Sequence, residues 1–358
     1  MPFFEAFIRE LLDGGHGVDI ATNMAESGLP ACYEEWGCGI YQVPFSRSPR
    51  IKGVWDAVKG IRKIVSEKHY DIVHCHTPVA AACTRLVCRQ ARRQGTKVLY
   101  TAHGFHFYTG APMLNWVLFY PVEKICSCWT DALITINKED YERARKKFAS
   151  KRIAYVPGVG IDVGEFANDP TDKRAKRRDL GIPEDAFVLL SVGELNANKN
   201  HRVVVQAVGA LHDESIQYLI AGRGDQGEAL VSLATDLGIK NQFHLLGYRQ
   251  DVSELYKMAD VYVLPSIREG LNVSVMEAMS SGLPCIVSDI RGNRDMVDDG
   301  KGGYLAHPLQ QAAFMKAITD IRNRIEQMGK YNSRKAAMFD RSSIYPIMKE
   351  IYTDVHTS

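Results

Sequence analysis

The sequence predicts an α/β protein built from two parallel-sheet domains, and three observations point there. Its 358 residues are more than one compact core usually holds, which argues for two domains and excludes a minimal binding module. Short β-branched and apolar runs alternate with amphipathic helical patterns along nearly the whole chain, as in a parallel sheet wrapped by helices. The series is interrupted once, at Pro157-Gly158-Val159-Gly160, and then begins again. A composition of 46% hydrophobic and 24% charged residues excludes a disordered or fibrous chain.

The elements follow in order. Phe3, Phe4, Phe7, Ile8, Leu11 and Leu12 form an apolar stripe at helical spacing, Pro2 suits the first turn, and Gly14-Gly15-His16-Gly17 stops the helix. Val18 to Thr22 reads as a strand, and further strands are expected at Ile72-Val73-His74, Lys97 to Ala102, Ala132 to Ile136 and Ile153 to Val156. Helical patterns lie near residues 51–68, 79–94, 113–128 and 138–149. A parallel sheet normally enters each helix from a strand and a ligand-facing loop, yet here a helix comes first. About ten residues of strand and loop are therefore expected to be missing, leaving a truncated start. After the break, Asn168 to Asp179 reads as a basic linker or an exposed helix. Strands follow at Phe187 to Val192, Tyr218 to Ala221, Phe243 to Leu246, Val261 to Leu264 and Cys285 to Ser288, with helices between. Two such sheets leave a cleft, and the glycine-rich loops at the carboxyl ends of the strands (Gly193, Gly222-Arg223-Gly224, Gly247, Gly270) are where a ligand is expected.

Several classes are disfavoured. The most apolar stretch, Met113 to Trp129, is broken by Asn115, Pro121, Glu123 and Lys124 and is too short to span a bilayer. Glu5, Arg9, Glu10 and Asp13 interrupt any leader-like run, so a cytoplasmic protein is expected. The eight cysteines read as reduced thiols. On a strand, His74 and His76 share a face while Cys75 points away, which does not make a metal site.

The net charge of +2 hides an asymmetry. Residues 1–160 carry 21 Lys+Arg against 15 Asp+Glu, and residues 161–358 carry 23 against 27. Arg85, Arg89, Arg92 and Arg93 fall on one helical face, and a second basic cluster runs from Arg143 to Arg152. The face is either solvated or rests on anionic lipid, aided by the aromatic stretch Phe105 to Trp129. No groove-reading motif accompanies the charge, so nucleic acid is not expected as a partner.

The chemistry concentrates in Glu269-Gly270-Leu271-Asn272-Val273-Ser274-Val275-Met276-Glu277. Two carboxylates flank an expected helix start, whose N–H groups at Gly270, Leu271 and Asn272 suit a phosphate or diphosphate. A nucleoside-diphosphate sugar has the matching shape, with hydroxyls for Glu269 at the sugar and for Glu277 at the ribose. By spacing alone, both acids also fit ordinary helix positions.

Pro265-Ser266 before this stretch and Ala278-Met279-Ser280-Ser281-Gly282-Leu283-Pro284 after it make the segment resemble the donor site of retaining GT-B glycosyltransferases, glycosyltransferase family 4. Asp71 to His76, Tyr100 to Gly104, Val156 to Asp162, Ser191-Val192-Gly193, Lys199-Asn200, Gly222-Arg223-Gly224 and Leu246-Gly247-Tyr248 extend the resemblance over nearly the whole chain, nearest the polysaccharide-biosynthesis branch.

The resemblance implies two Rossmann-like domains facing a cleft. One is an acceptor-binding domain at 1–160 completed by a C-terminal helix at 341–358, and the other a donor-binding domain at 161–340. It implies Lys199 on the diphosphate beside Gly193, His103 facing the donor sugar, and a role for Glu269 at the reacting sugar. It implies transfer of a hexosyl or N-acetylhexosaminyl group, with retention, from a UDP-sugar to a lipid-linked or oligosaccharide acceptor at the inner face of a membrane. No D-x-D-like pair stands at a strand end, so no metal and no cofactor are expected.

Two departures stand out. Many members place an arginine where this chain has Glu194, and Arg268, Arg291 and Arg294 are the candidate substitutes. The missing first strand would also remove a glycine-bearing loop that in the family lies beside the diphosphate. The alternatives are a catalytically dead partner or scaffold of the same fold, which would bind donor without turnover, and a nucleotide-sugar epimerase, which would turn over donor without acceptor.

Overall fold

The computed structural model describes residues 2–24, 29–45 and 51–357, and the side chains of Phe3 and Phe4 lie outside the described ones. The chain forms two compact units, one of Met1–Val159 with Ile344–Ser358 and the other of Gly160–Ser343.

In the first unit, α1 (Pro2–Asp13), β1 (Asp19–Thr22), α2 (Cys32–Glu35), β2 (Gly39–Gln42), α3 (Ile51–Glu67) and β3 (Ile72–Cys75) come first. They lead to α4 (Pro78–Val87), α5 (Arg89–Arg93), β4 (Lys97–Ala102), α6 (Met113–Ser127), β5 (Ala132–Thr135), α7 (Lys138–Lys147) and β6 (Arg152–Tyr155). All pairings are parallel, but they form two separate pieces, β1-β2 and β3-β4-β5-β6. No described strand lies between β1 and β3, where a cavity of about 1460 Å³ opens instead.

Phe7 of α1 packs against Tyr345 and Tyr352, with ring centroids 5.2 and 5.8 Å away. These tyrosines belong to the last helix of the chain (Arg341–Thr357), which from Ile344 onward shares a core with β4, β5 and α1.

The basic face between Arg85 and Arg93 is corrected by the structure. The expected single helix is two, α4 and α5, meeting at Cys88. Arg85 points inward and is 1% exposed, held by Glu123 Oε2 at 2.8 Å, by the Ala81 carbonyl and by the Tyr100 ring. A guanidinium so placed has no access to lipid. Arg92 makes two 2.8 Å bonds to Asp131, while Arg89 and Arg93 are exposed, Arg89 over the Trp129 ring. The second cluster is largely ion-paired, with Arg143 on Glu139, Lys151 on Asp131 and Arg152 on Asp354.

The second unit holds α8 (Val163–Ala167), α9 (Lys173–Asp179), β7 (Phe187–Val192), α10 (His201–Leu211), β8 (Ile216–Ala221), α11 (Gly227–Asp236) and β9 (Phe243–Gly247). After these come α12 (Val252–Met258), β10 (Val261–Leu264), α13 (Val273–Ser280), β11 (Cys285–Ser288), α14 (Arg291–Met296), β12 (Gly303–Ala306), α15 (Gln311–Ile321) and α16 (Ile325–Ala336). The final helix, Arg341–Thr357, is α17.

The six strands of this unit are parallel in the order β12-β11-β10-β7-β8-β9. Alternate residues of β7 enter opposite cores, Val188 and Leu190 one, Phe187 and Leu189 the other, because the sheet is covered on both faces. The basic stretch before β7 is α9 rather than a linker, and Arg177 within it is 3% exposed. Its guanidinium bonds to Asp260 and to the carbonyls of Met258, Glu184 and Ala186.

Candidate functional site

In the second unit β7 and β10 are neighbours, yet the chain leaves β7 for β8 on one side and β10 for β11 on the other. That reversal opens a crevice at the carboxyl ends of the two strands, where open α/β sheets place their ligands.

The loops after β7 and β10 meet at this point. Gly193 adopts φ +152, which side-chain-bearing residues rarely take, and a Cβ there would lie 3.3 Å from Lys199 Cε. Lys199 therefore lies along a glycine floor. Its Nζ donates to Glu269 Oε1 at 2.8 Å, with the two side chains 15% and 14% exposed, so one ion pair bridges the two loops.

Three asparagines fasten the same loops. Asn196 Oδ1 accepts from the Lys199 N–H, Asn198 Nδ2 donates to the Arg268 carbonyl, and Asn200 Nδ2 reaches the Pro265 and Pro308 carbonyls. Asn200 takes φ 54, tolerable for asparagine. The run Asn196-Ala197-Asn198-Lys199-Asn200 carried this signal in its turn-forming residues, and the sequence reading passed over it. Gly222, after β8, approaches so closely that a Cβ would sit 1.7 Å from the Gly193 carbonyl oxygen.

The helix start falls later than expected. Helix α13 begins at Val273 with Asn272 as its cap, the Asn272 carboxamide oxygen accepting from the Ser274 N–H at 3.0 Å. Gly270 and Leu271 thus belong to the preceding loop rather than the first turn. Glu269 stands ahead of the helix and Glu277 within it, so the two acids are separated by loop plus about one turn. Loop and helix α14 are tightly apposed, since a Cβ at Gly292 would lie 1.8 Å from the Gly270 carbonyl oxygen.

Glu277 is half-buried behind this loop, and Tyr256 donates to its Oε2 at 2.8 Å. Burial raises its carboxyl above the ordinary range, opposed by the Tyr256 hydrogen bond. Tyr256 is a site residue that sequence reading missed, because it lies 21 positions away.

The candidate arginines differ in setting. Arg291 is 7% exposed with Nε 3.3 Å from the Glu269 carbonyl oxygen, Arg294 pairs with Asp289, and Arg268 is exposed. Glu194 is exposed and accepts from Asn196 Nδ2 at 2.8 Å.

In the first unit, His103 follows β4, with Nε2 3.3 Å from His76 Nδ1. His74 and His76 share a face with ring centroids 4.1 Å apart, and His74 is bonded to Thr101 and Tyr352, while Cys75 turns to the Leu99 carbonyl. Burial holds His103 down to about 4 and His74 to about 3, so both rings are neutral. His106 stacks on Phe119.

Residues 172–335 match the family described as glycosyl transferases group 1, and residues 3–164 match the one described as Glycosyltransferase Family 4. A Bacillus subtilis (strain 168) protein named as glycosyltransferase EpsD is 38% identical over 99% of this chain and 92% of its own length. The chain belongs to glycosyltransferase family 4.

A second family relative, the Escherichia coli UDP-Gal:alpha-D-GlcNAc-diphosphoundecaprenol alpha-1,3-galactosyltransferase, is 30% identical over 72% of this chain and 68% of its own. Anabaena HepE in complex with UDP-glucose superposes with a TM-score of 0.78 at 17% identity, covering 94% of this chain and 91% of that one. This likeness supports the GT-B fold, with its two Rossmann-like units. Among the described residues no helix is long and apolar enough to cross a membrane.

Proposed function

We propose that this glycosyltransferase takes a hexosyl or N-acetylhexosaminyl group from a UDP-sugar. It transfers that group, with retention, to a lipid-linked or oligosaccharide acceptor in surface polysaccharide biosynthesis. The observation that carries the donor half is the Lys199–Glu269 pair over Gly193 at the switch point of the second sheet. A diphosphate arriving there exchanges partners with this pair. The Lys199 ammonium turns to the phosphate oxygens, and Glu269 is released to accept hydrogen bonds from sugar hydroxyls. Gly270, Leu271 and Asn272 form the loop wall, Glu277 takes the ribose hydroxyls, and His103 is assigned to the donor sugar by family resemblance. Neutralisation of the leaving diphosphate is assigned to Lys199 and the backbone, without a metal. The uridine and polyprenyl-diphosphate chemistry in the relatives' names supports the choice of donor and acceptor.

A membrane-borne acceptor calls for a membrane-facing surface, and α6 supplies one. Met113, Leu114, Val117, Leu118, Val122 and Ile125 are 46–76% exposed and form one apolar stripe, while Trp116, Glu123 and Cys126 face inward. Lys124, Arg89 and Arg93 are exposed nearby on α6 and α5. Apolar insertion flanked by cations fits an anionic bilayer. We assign lipid contact to α6, with Arg89 and Arg93 in support and Arg85 removed from the set.

The test is a thermal-shift screen of nucleoside-diphosphate sugars followed by turnover with a polyprenyl-diphosphate sugar. A UDP-sugar at about 100 times its Kd stabilises by about 2.7 kcal/mol. Stabilisation by a UDP-sugar with transfer supports the proposal. Stabilisation without turnover points to the scaffold reading, and no response to any UDP compound contradicts the donor assignment.

A further inference from the structure

The loop that carries His103 runs from the end of β4 at Ala102 to the start of α6 at Met113. A pliable joint lies beside the histidine, because Gly104 takes φ +144, a conformation that glycine enters and leaves without a side-chain clash. Phe105 and Phe107 anchor the residues that follow, buried with their ring centroids 4.8 Å apart. Apolar burial is non-directional, however, and does not decide which way the peptide between Gly104 and Phe105 faces.

Asp140 decides it. This acid lies in the first turn of α7, a helix of otherwise largely charged sequence, and it is 0% exposed. Its Oδ2 accepts from the Phe105 N–H at 2.9 Å and from Asn137 Nδ2 at 2.8 Å. Asn137, also buried, caps α7 by accepting from the Asp140 N–H at 2.9 Å, so the oxygen that grips the loop is itself fixed by a helix cap. Further along, Glu139 Oε1 accepts from the Thr109 N–H at 2.8 Å, and Asn115 Nδ2 of α6 donates to the His106 carbonyl at 3.1 Å. Burying a carboxylate is costly, and a buried backbone N–H without an acceptor is costly too; the bond at Phe105 answers both. A second buried acid makes the same bond at the opposite end of β4, where Asp131 Oδ2 accepts from the Val98 N–H at 2.9 Å.

We propose that Asp140 is a positioning residue: its bond to the Phe105 N–H locks the Gly104 joint and thereby holds the His103 ring in place for transfer. The bearing on transfer rests on the assignment of His103 to the donor sugar. The ring sits with Nε2 3.3 Å from His76 Nδ1. With the joint freed, it leaves that contact and meets water. The burial that holds His103 down to about 4 is then lost, and its titration climbs toward the ordinary value near 6.5.

The test follows the His103 ring by NMR in the full chain, its signal identified by its loss in His103→Gln. Between about pH 7.5 and 5.5 the wild-type ring should not titrate, whereas in Asp140→Ala it should. Asp140→Asn, which keeps an oxygen for the Phe105 N–H, should stay close to wild type. Asp140→Glu keeps the charge but moves the oxygens by one methylene, so it should shift the ring and carries the readout if Asp140→Ala does not fold. Asp131→Ala, which strips the matching bond from the far end of β4, should lower the thermal midpoint and leave the ring unmoved. With whichever UDP-sugar the wild type transfers, kcat should fall at least about tenfold in Asp140→Ala or Asp140→Glu, with KM within about twofold, and recover in Asp140→Asn. An unmoved ring in both the Ala and Glu variants at Asp140, or an equal shift in Asp131→Ala or Asp140→Asn, would overturn the proposal. A shifted ring with unchanged turnover would uphold the strap on the loop and contradict the assignment of His103 to the donor sugar.

Discussion

Replacing Glu123 by leucine removes the acceptor of a guanidinium that cannot reach water. Arg85 is 1% exposed and Glu123 6%, their contact is 2.8 Å, and Tyr100 OH donates to the other carboxylate oxygen at 3.2 Å. An exposed pair would be worth under about 1 kcal/mol, but stranding a buried charge costs about 3–5 kcal/mol. At roughly 2–4 °C per kcal/mol for a unit of this size, the midpoint of the first unit should fall by about 6–20 °C. The orphaned Tyr100 hydroxyl adds to the loss. Substituting all three, Arg85→Met with Glu123→Leu and Tyr100→Phe, leaves no unpaired polar group and should restore most of the stability. Urea unfolding of the full-length variants measures each value. A Glu123→Leu loss under about 1 kcal/mol, or a triple variant no better than the single, would refute the view that Arg85 is an internal charge tied to one partner.

Three further outcomes are expected. His103 and His74 are held near 4 and 3 while an unfolded histidine titrates near 6.5, so below pH 6.5 the unfolded chain binds more protons than the folded one. Stability should be flat above about pH 6.5 and fall toward pH 4, by on the order of 1–2 kcal/mol per histidine at pH 5; urea midpoints that do not move between pH 7 and 5 would contradict this. Leu114→Gln with Val117→Gln and Leu118→Gln should lower partitioning onto anionic vesicles by about tenfold or more, and Arg85→Met should leave it unchanged; co-sedimentation distinguishes the two. Gly222→Ala places a Cβ where the Gly193 carbonyl oxygen lies 1.7 Å away, so it should cost about 1–3 kcal/mol and weaken UDP binding by displacing the Lys199 loop; unchanged UDP affinity would show that loop to be uninvolved.

Much of the fold was legible because parallel strands covered on both faces read as short apolar runs. The expected strands at Phe187–Val192, Val261–Leu264 and Cys285–Ser288 coincide with β7, β10 and β11. Strands β2, Gly39–Gln42, and β12, Gly303–Ala306, went unread because both are four residues long, begin with glycine and lie at sheet edges. The helix over residues 79–94 was read as continuous because nothing local marks the break at Cys88. Arg85 looked like surface for a related reason: its partner Glu123 is 38 residues away, and i, i+4 spacing shows only which side chains share a face.

In the site, the residue types at Gly193, Lys199, Glu269 and Glu277 carried the signal. Their mutual arrangement did not, since the Lys199–Glu269 contact spans 70 residues and the cap at Asn272 depends on a side-chain choice made in three dimensions.

The central claim is that the second unit holds a nucleoside diphosphate at the β7–β10 crevice through Lys199. Calorimetric titration of the full chain with UDP and with uridine, for wild type and Lys199→Ala, tests it most directly. A charge-assisted contact worth about 1.5–3 kcal/mol predicts UDP affinity lower by roughly 10- to 150-fold in Lys199→Ala, with uridine affinity unchanged. Equal UDP affinity in the two proteins, or an equal loss for uridine, would contradict it.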